Sequence, residues 1–124
     1  MDEDIDGFIA KPINPNLVKK AWTDDGCILH LHVPQNLYYL DGHFPQVPIV
    51  PGVCQLKWVI DFIEAHTGEK LSIAALEAVK FTRPLFPGQS FVMELCYDPR
   101  AVAWHYQVYA DAKPFASGRL IVQK

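Results

Sequence analysis

The chain has 124 residues, of which 50% are hydrophobic and 20% are charged, and this balance is typical of a folded globular domain. Its net charge of −3 at pH 7 argues against binding to a nucleic-acid backbone. The acidic start, MDEDIDG, is unlike a signal peptide, and no apolar run approaches 18 residues. We therefore expect one cytoplasmic domain over residues 1–124, with neither a nucleic acid nor a membrane as partner.

The first element predicted along the chain is a β-strand at residues 27–33, CILHLHV. Apolar and polar side chains alternate there, as in a strand with one buried face. The buried face would carry Leu29, Leu31 and Val33, and the other face Ile28, His30 and His32. His30 and His32 have the spacing of a metal pair on a strand, but no third ligand is near in sequence, so a solvated face is expected.

A helix is predicted at residues 53–65, after a segment with proline at every third position from Pro45 to Pro51. Residues 53–65 contain neither proline nor glycine, and Thr67-Gly68 should end the helix. The apolar residues that recur at helical spacing are Val53, Leu56, Val59, Ile60 and Ile63. A second, polar face would carry Lys57, Asp61 and Glu64.

Four further strands are predicted, at about residues 76–83, 90–97, 102–110 and 116–123. Turn signals separate them at Pro87-Gly88, Asp98-Pro99 and Lys113-Pro114. Consecutive strands joined by short turns predict an antiparallel meander, and the apolar helix must be covered by that sheet. The predicted fold class is therefore α+β, with an antiparallel sheet wrapped around one central helix.

Residues 42–53 read GHFPQVPIVPGV, and this motif carries a family resemblance. The pattern G-H-F-P-x-x-P-x-x-P-G before a helix resembles the β-hydroxyacyl-acyl carrier protein dehydratases of bacterial fatty-acid synthesis. A chance match to its six defining residues is on the order of one in a million, given average residue usage. The similarity continues through residues 78–95 and covers most of residues 25–123. The helix sequence PGVCQLKWVIDF is similar to the small dehydratases of aryl-polyene pathways.

The resemblance implies a hotdog fold that forms a dimer and removes water from a 3-hydroxyacyl thioester, without a metal or organic cofactor. The acyl chain would be carried on acyl carrier protein or coenzyme A. The family's histidine, which removes a proton from C2, maps onto His43. Imidazole suits this role because its pKa is near 7. The first N–H groups of the helix, at Gly52 and Val53, would stabilise the enolate oxygen.

One residue departs from the family pattern. The acidic residue that protonates the leaving hydroxyl falls five positions after the glycine, where this chain has Lys57. Lysine ordinarily keeps its proton up to about pH 10. Three readings follow: Lys57 is a desolvated acid, Asp61 replaces it one turn later, or dehydration is lost. Lys57 and Asp61 are four residues apart, so an ion pair between them is predicted.

Two other functions remain open from the sequence. A hotdog thioesterase also polarises the thioester carbonyl at a helix start, but it attacks the carbonyl with water activated by an acidic side chain. A non-catalytic acyl-binding module, or a subunit in a heterodimer with a paralogue, could instead donate His43 to a partner that supplies the acid. A homodimer is the expected assembly, and the heterodimer is its alternative.

The remaining reactive side chains carry no motif. Cys27, Cys54 and Cys96 are widely spaced and form no CxxC pair, so reduced, partly buried thiols are expected. His66 and His105 have no context that indicates chemistry. Tyr38 and Tyr39 precede the motif and are expected to pack at a dimer edge.

Overall fold

The computed structural model describes residues 14–35 and 49–123, and there six strands form one antiparallel sheet that packs against a helix. The elements are β1 (Asn16–Trp22), β2 (Gly26–His32), α1 (Gly52–Thr67), β3 (Ile73–Phe81), β4 (Ser90–Asp98), β5 (Ala103–Ala110) and β6 (Lys113–Val122). The order across the sheet is β1-β2-β4-β5-β6-β3. The predicted α+β architecture is confirmed.

The core lies between α1 and one face of the sheet. Trp58, Val59 and Ile63 of α1 are fully buried, and the Trp58 ring lies nearly parallel to that of Phe91 on β4, with centroids 6.2 Å apart. The sheet contributes, among others, Leu29, Leu31, Met93, Leu95 and Leu120. Each such side chain contributes about 1.5–3 kcal/mol when it is fully buried. This packing fixes the helix against the sheet.

The helix ends where the sequence indicates. Gly68 has the left-handed φ of 76°, and its N–H donates to the Glu64 carbonyl at 2.8 Å. Glycine is favoured at this position because it has no Cβ to clash. The helix begins one residue before the predicted start and ends two residues after the predicted end.

The predicted apolar face of the helix is wrong at Val53, whose side chain is 73% exposed. The buried stripe is centred on Trp58 and Val59, which lie five and six residues further on. Successive residues turn by about 100°, so Val53 falls on the opposite side of the helix from the middle of the stripe that Trp58 and Val59 form. It shares that outer side with Lys57.

The β2 prediction is confirmed. Leu29, Leu31 and Val33 are buried, while His30 is exposed and His32 is half-buried. The strand before it, β1, was not predicted. Most of its side chains are exposed because it forms one edge of the sheet, so it lacks the alternation that marks a half-buried strand.

The predicted meander is correct for β4, β5 and β6 but wrong for β3, which pairs with β6 instead of β4. The eight-residue link 82–89 carries the chain from the edge strand β3 to β4 in the middle of the sheet. Its start is held to β6 because the Arg83 guanidinium donates to the carbonyls of Lys113 and Pro114, both at 2.9 Å. These contacts join residues thirty positions apart, beyond the reach of local turn signals.

The turn predicted at Lys113-Pro114 lies two residues earlier. Asp111 and Ala112 form it with φ values of 52° and 62°, and Lys113 and Pro114 already pair with β5. Two-residue hairpin turns favour positive φ at both positions because this matches the twist of the strands. The turn at Pro87-Gly88 is confirmed, with a φ of 81° at Gly88.

Candidate active site at the start of the helix

The start of α1 presents backbone donors that the helix does not use. The first helical hydrogen bonds run from the N–H groups of Cys54 and Gln55 to the Pro51 carbonyl, at 3.0 and 3.3 Å. The N–H groups of Gly52 and Val53 precede them. Pro51 has no capping side chain, and the first turn contains no acidic residue. The positive end of the helix dipole is therefore uncompensated within the turn and suits a developing oxyanion.

The helix start is held close to the end of β3. A Cβ added at Gly52 would lie 2.8 Å from Cζ of Phe81, so a larger residue would displace that ring. Just before the helix, the Val50 N–H donates to the Leu85 carbonyl at 2.7 Å. The segment leading into α1 is therefore fixed to the 82–89 link, and a small residue is required at position 52.

The ion pair predicted between Lys57 and Asp61 is confirmed. Nζ of Lys57 lies 2.6 Å from Oδ2 of Asp61, and the two side chains are 46% and 42% exposed. Burial raises the pKa of the neighbouring Cys54 thiol to about 11, although the charge of Lys57 partly offsets this effect. Cys54 therefore remains a thiol near neutral pH and is not a nucleophile.

The structure brings Gly52, Val53, Lys57 and Asp61 together on one helix. His43 lies outside the described residues, as do Tyr38 and Tyr39, so the distance from His43 to the helix remains a prediction.

A pocket of about 340 Å³ opens beside the helix start. Its wall includes Val50, Gly52, Gln55, Phe81 and residues 82–84. Gln55 is only 4% exposed, and it was not among the predicted site residues. Its spacing in the sequence could have indicated this burial. Gln55 lies three and four residues before the buried Trp58 and Val59, so it shares the inner face of the helix with them.

The other histidines belong to no cluster of potential metal ligands in the part of the chain that the structure describes. Within residues 14–35 and 49–123, no three His, Cys, Asp or Glu side chains cluster as metal ligands. Nδ1 of His32 lies 3.2 Å from Oγ of Ser90. The ring of His66 lies between Trp22 and Trp104, with centroids 4.6 and 6.2 Å away. Burial, and to a lesser extent the charge of Lys20, lowers the pKa of His66.

Two further expectations concern the thiols and membrane association. Cys27, Cys54 and Cys96 are free thiols, of which the first two are buried, as expected. No described helix has the length and apolar character needed to cross a membrane.

Comparison with known sequences gives consistent matches. The family model for the ApeI dehydratase, termed ApeI-like, matches residues 19–119. The 3-hydroxyacyl-[acyl-carrier-protein] dehydratase FabZ of Streptococcus mutans is 30% identical over 108 residues, which cover 79% of this chain and 77% of that protein. FabZ of Streptococcus equi subsp. zooepidemicus gives the same identity and coverage.

Solved structures share the fold. The dehydratase heterocomplex ApeI:P from Xenorhabdus doucetiae contains a chain with a TM-score of 0.82 and 23% identity, covering 90% of this chain and 99% of that one. The Escherichia coli PaaI protein matches with a TM-score of 0.55 and 16% identity, over 86% of this chain and 82% of its own. At these identities the likeness concerns the fold alone, and it confirms the predicted hotdog architecture.

Proposed function

Because this chain belongs to the ApeI-like dehydratase family, we propose that it removes water from a 3-hydroxyacyl chain held as a thioester on acyl carrier protein. Coenzyme A offers the same thioester and is the alternative carrier. The observation that carries the proposal is the helix start, where the N–H groups of Gly52 and Val53 lie ahead of the helical hydrogen bonds beside a pocket.

In the proposed mechanism, the thioester carbonyl oxygen accepts hydrogen bonds from the N–H groups of Gly52 and Val53. This polarisation acidifies C2, and His43 takes the C2 proton as general base. The electron pair left on C2 is delocalised into the enolate and then forms the C2–C3 double bond. The C3–O bond breaks, and the hydroxyl leaves as water after accepting a proton from a general acid.

The general acid could come from this chain or from a partner subunit. Lys57 occupies the family's acidic position, and a carboxylate lies 2.6 Å from its ammonium group. A paired ammonium is a poor proton donor near neutral pH, because the nearby negative charge favours the protonated form. This ion pair supports a second candidate function, in which the chain is one subunit of a heterodimer and its partner supplies the acid. The similar ApeI:P structure is itself a heterocomplex.

Either assembly needs a surface for a second subunit, and we place it at the β3 edge. An edge strand leaves backbone N–H and C=O groups unpaired along one side. Leu76 and Phe81 on this strand are 50% and 48% exposed, and Phe81 lies against Gly52 at the helix start. A second hotdog subunit on this edge would cover apolar surface and lie next to the site. For the chain alone, we propose a homodimer.

Turnover assays test the activity. The protein is incubated with 3-hydroxyacyl and saturated acyl thioesters on acyl carrier protein, and enoyl product is measured separately from free thiol. We expect enoyl product only, and a loss of at least about 10²-fold in His43→Ala, the usual size of a general-base contribution. His30→Ala, which alters an exposed histidine on β2, is the matched control. Thiol release without enoyl product would instead indicate a thioesterase.

Sedimentation velocity at micromolar concentration tests the assembly. We expect a dimer that Leu76→Asp dissociates, because the change puts a charge into the proposed interface. Val18→Asp is the matched control, since Val18 is 71% exposed on β1 at the opposite edge of the sheet. A monomeric wild type, or dissociation by the Val18 change alone, would refute the β3 interface. Co-purification with a second hotdog chain would favour the heterodimer.

A further inference from the structure

Gln55 is the one amide or charged side chain buried in the described part of the core. Its Nε2 faces the Val50 carbonyl at 3.5 Å, a long hydrogen bond that nevertheless orients the amide. Its Oε1 is buried and has no hydrogen-bond partner among residues 14–35 and 49–123. Leaving a buried acceptor unpaired costs stability, so such an atom at a pocket points to a ligand that satisfies it.

The pocket contains few other groups that could bind a polar ligand. The Arg83 guanidinium is directed to the carbonyls of Lys113 and Pro114, and it lies over the Phe115 ring at 4.2 Å. Val50, beside Gln55, is apolar and 3% exposed. Thr82 also lines the pocket, but its side chain is exposed to solvent. The buried residues of the lining are therefore the apolar Val50 and Gln55, whose amide supplies the unpaired acceptor.

The position of this acceptor relative to the helix start indicates which part of a substrate it would meet. The Gln55 side chain points back toward the start of the helix, since its Nε2 lies 3.5 Å from the carbonyl oxygen of Val50, two residues before Gly52. The amide is therefore level with the first helical turn. A thioester carbonyl held at the N–H groups of Gly52 and Val53 would bring a hydroxyl two carbons further along the acyl chain to this same turn, beside the amide of Gln55.

We propose that Oε1 of Gln55 accepts a hydrogen bond from the 3-hydroxyl of the substrate. This inference rests on the dehydratase activity proposed above and adds a residue that recognises the group to be removed. Gln55 exchanges no proton. It orients the hydroxyl hydrogen and leaves a lone pair of the hydroxyl oxygen available to the general acid. A saturated chain offers no donor and leaves Oε1 unpaired, so the site discriminates against it.

Binding of two inert analogues tests the proposal. Both are acyl pantetheine amides, in which nitrogen replaces the thioester sulfur, and only one carries the 3-hydroxyl. Their C2 protons are too weakly acidic for dehydration, so calorimetry gives dissociation constants whether or not the protein is active. We expect the wild type to bind the hydroxylated analogue about tenfold more tightly than the other, in line with one hydrogen bond.

Gln55→Met keeps the length of the side chain and removes the acceptor. We expect it to equalise the two dissociation constants, and to raise KM for the matching 3-hydroxyacyl thioester about tenfold with little change in kcat. This split is expected because the hydrogen bond is present in both the bound substrate and the transition state. Ile63→Val is the matched control, because it perturbs a fully buried position on the same helix away from the pocket.

The outcomes separate the two proposals. Equal affinities in the wild type, or a preference that survives Gln55→Met, would overturn the role of Gln55. The same would follow if Gln55→Met weakened both analogues equally, since the acceptor would then serve the pantetheine arm or the core. A wild type that prefers the hydroxylated analogue without dehydrating the thioester would refute the activity and retain the hydroxyl site.

Discussion

Replacing Lys57 by glutamate should raise turnover on 3-hydroxyacyl thioesters by about 10²-fold, the lower end of a general-acid contribution. The change places a carboxyl group at the position that the family resemblance assigns to the acidic residue. Asp61 lies one helical turn away, and a neighbouring negative charge raises the pKa of the introduced carboxyl toward the working pH. An acid that is protonated more often near neutrality is a better donor to the leaving hydroxyl.

A change in turnover in Lys57→Glu can be attributed to the catalytic step, because the effect of the substitution on stability should be small. Lys57 and Asp61 form an exposed pair at i and i+4, which contributes no more than about 0.5 kcal/mol. Losing this pair, in Lys57→Met, should by itself lower Tm by about 2 °C, and the thermal melts measure the full effect of the change. A turnover difference of 10²-fold, which corresponds to about 2.7 kcal/mol, cannot come from partial unfolding of that size.

Turnover of purified Lys57→Glu, Lys57→Met and Asp61→Asn is measured with 3-hydroxyacyl-acyl carrier protein, alongside thermal melts. We expect weak wild-type activity, a gain in Lys57→Glu and no loss in Lys57→Met. If Lys57→Met abolished a substantial wild-type activity, lysine itself would be the acid. A fully active wild type that loses activity only in Asp61→Asn would show that the acid lies one turn later, and either result would refute the reasoning for position 57.

Two further predictions concern the helix start and the far end of the helix. Gly52→Ala should lower the free energy of unfolding by about 1 kcal/mol, after the helix preference of alanine is included, because the added methyl group meets the Phe81 ring. Adding Phe81→Leu to this variant should restore Tm. An unchanged Tm in Gly52→Ala alone would contradict the close approach of Phe81 to Gly52. Because of His66, the free energy of unfolding should fall as the pH drops from 7.5 to 5.5. The pKa of His66 is lowered in the folded chain, so the unfolded chain binds a proton that the folded chain resists. The full contribution of His66 to stability is present above the pKa of histidine in the unfolded chain, which is about 6.5. Urea unfolding at the two pH values should show a smaller difference in His66→Phe, and an unchanged difference would exclude His66 as the cause.

Apart from the exposed edge strand β1, the local elements were predictable from the sequence because local spacing determines them. The apolar spacing and Thr67-Gly68 gave the helix within two residues of its observed ends, and the alternation at 27–33 gave β2. The short turns also predicted the order β4-β5-β6, but they did not predict the position of β3. The position of β3 beside β6 depends on pairing between residues about forty positions apart, such as Leu76 with Leu120.

At the candidate site, the sequence predicted the start of the helix and the Lys57–Asp61 pair, but not the inward position of Gln55. The motif identified Gly52 and the departure at Lys57, and the spacing identified the Lys57–Asp61 pair. Gln55 was missed because a glutamine in a helix is ordinarily placed on the solvent side, and only the packing of α1 shows that it faces inward. The catalytic roles of Gly52, Val53 and Lys57 stay predictions. So does the role of His43, which lies outside the described part of the chain.

The uncapped start of α1 has a consequence for engineering this protein. A serine, threonine or aspartate in place of Pro51 would normally stabilise a helix by about 0.5–2 kcal/mol, because its side chain accepts a hydrogen bond from the first turn. In the mechanism proposed above, the same side chain would compete with the substrate carbonyl for the first-turn N–H donors and so inhibit the enzyme. Thermostability and turnover should therefore be opposed at this position, so a screen that selects on melting temperature alone would favour inactive variants.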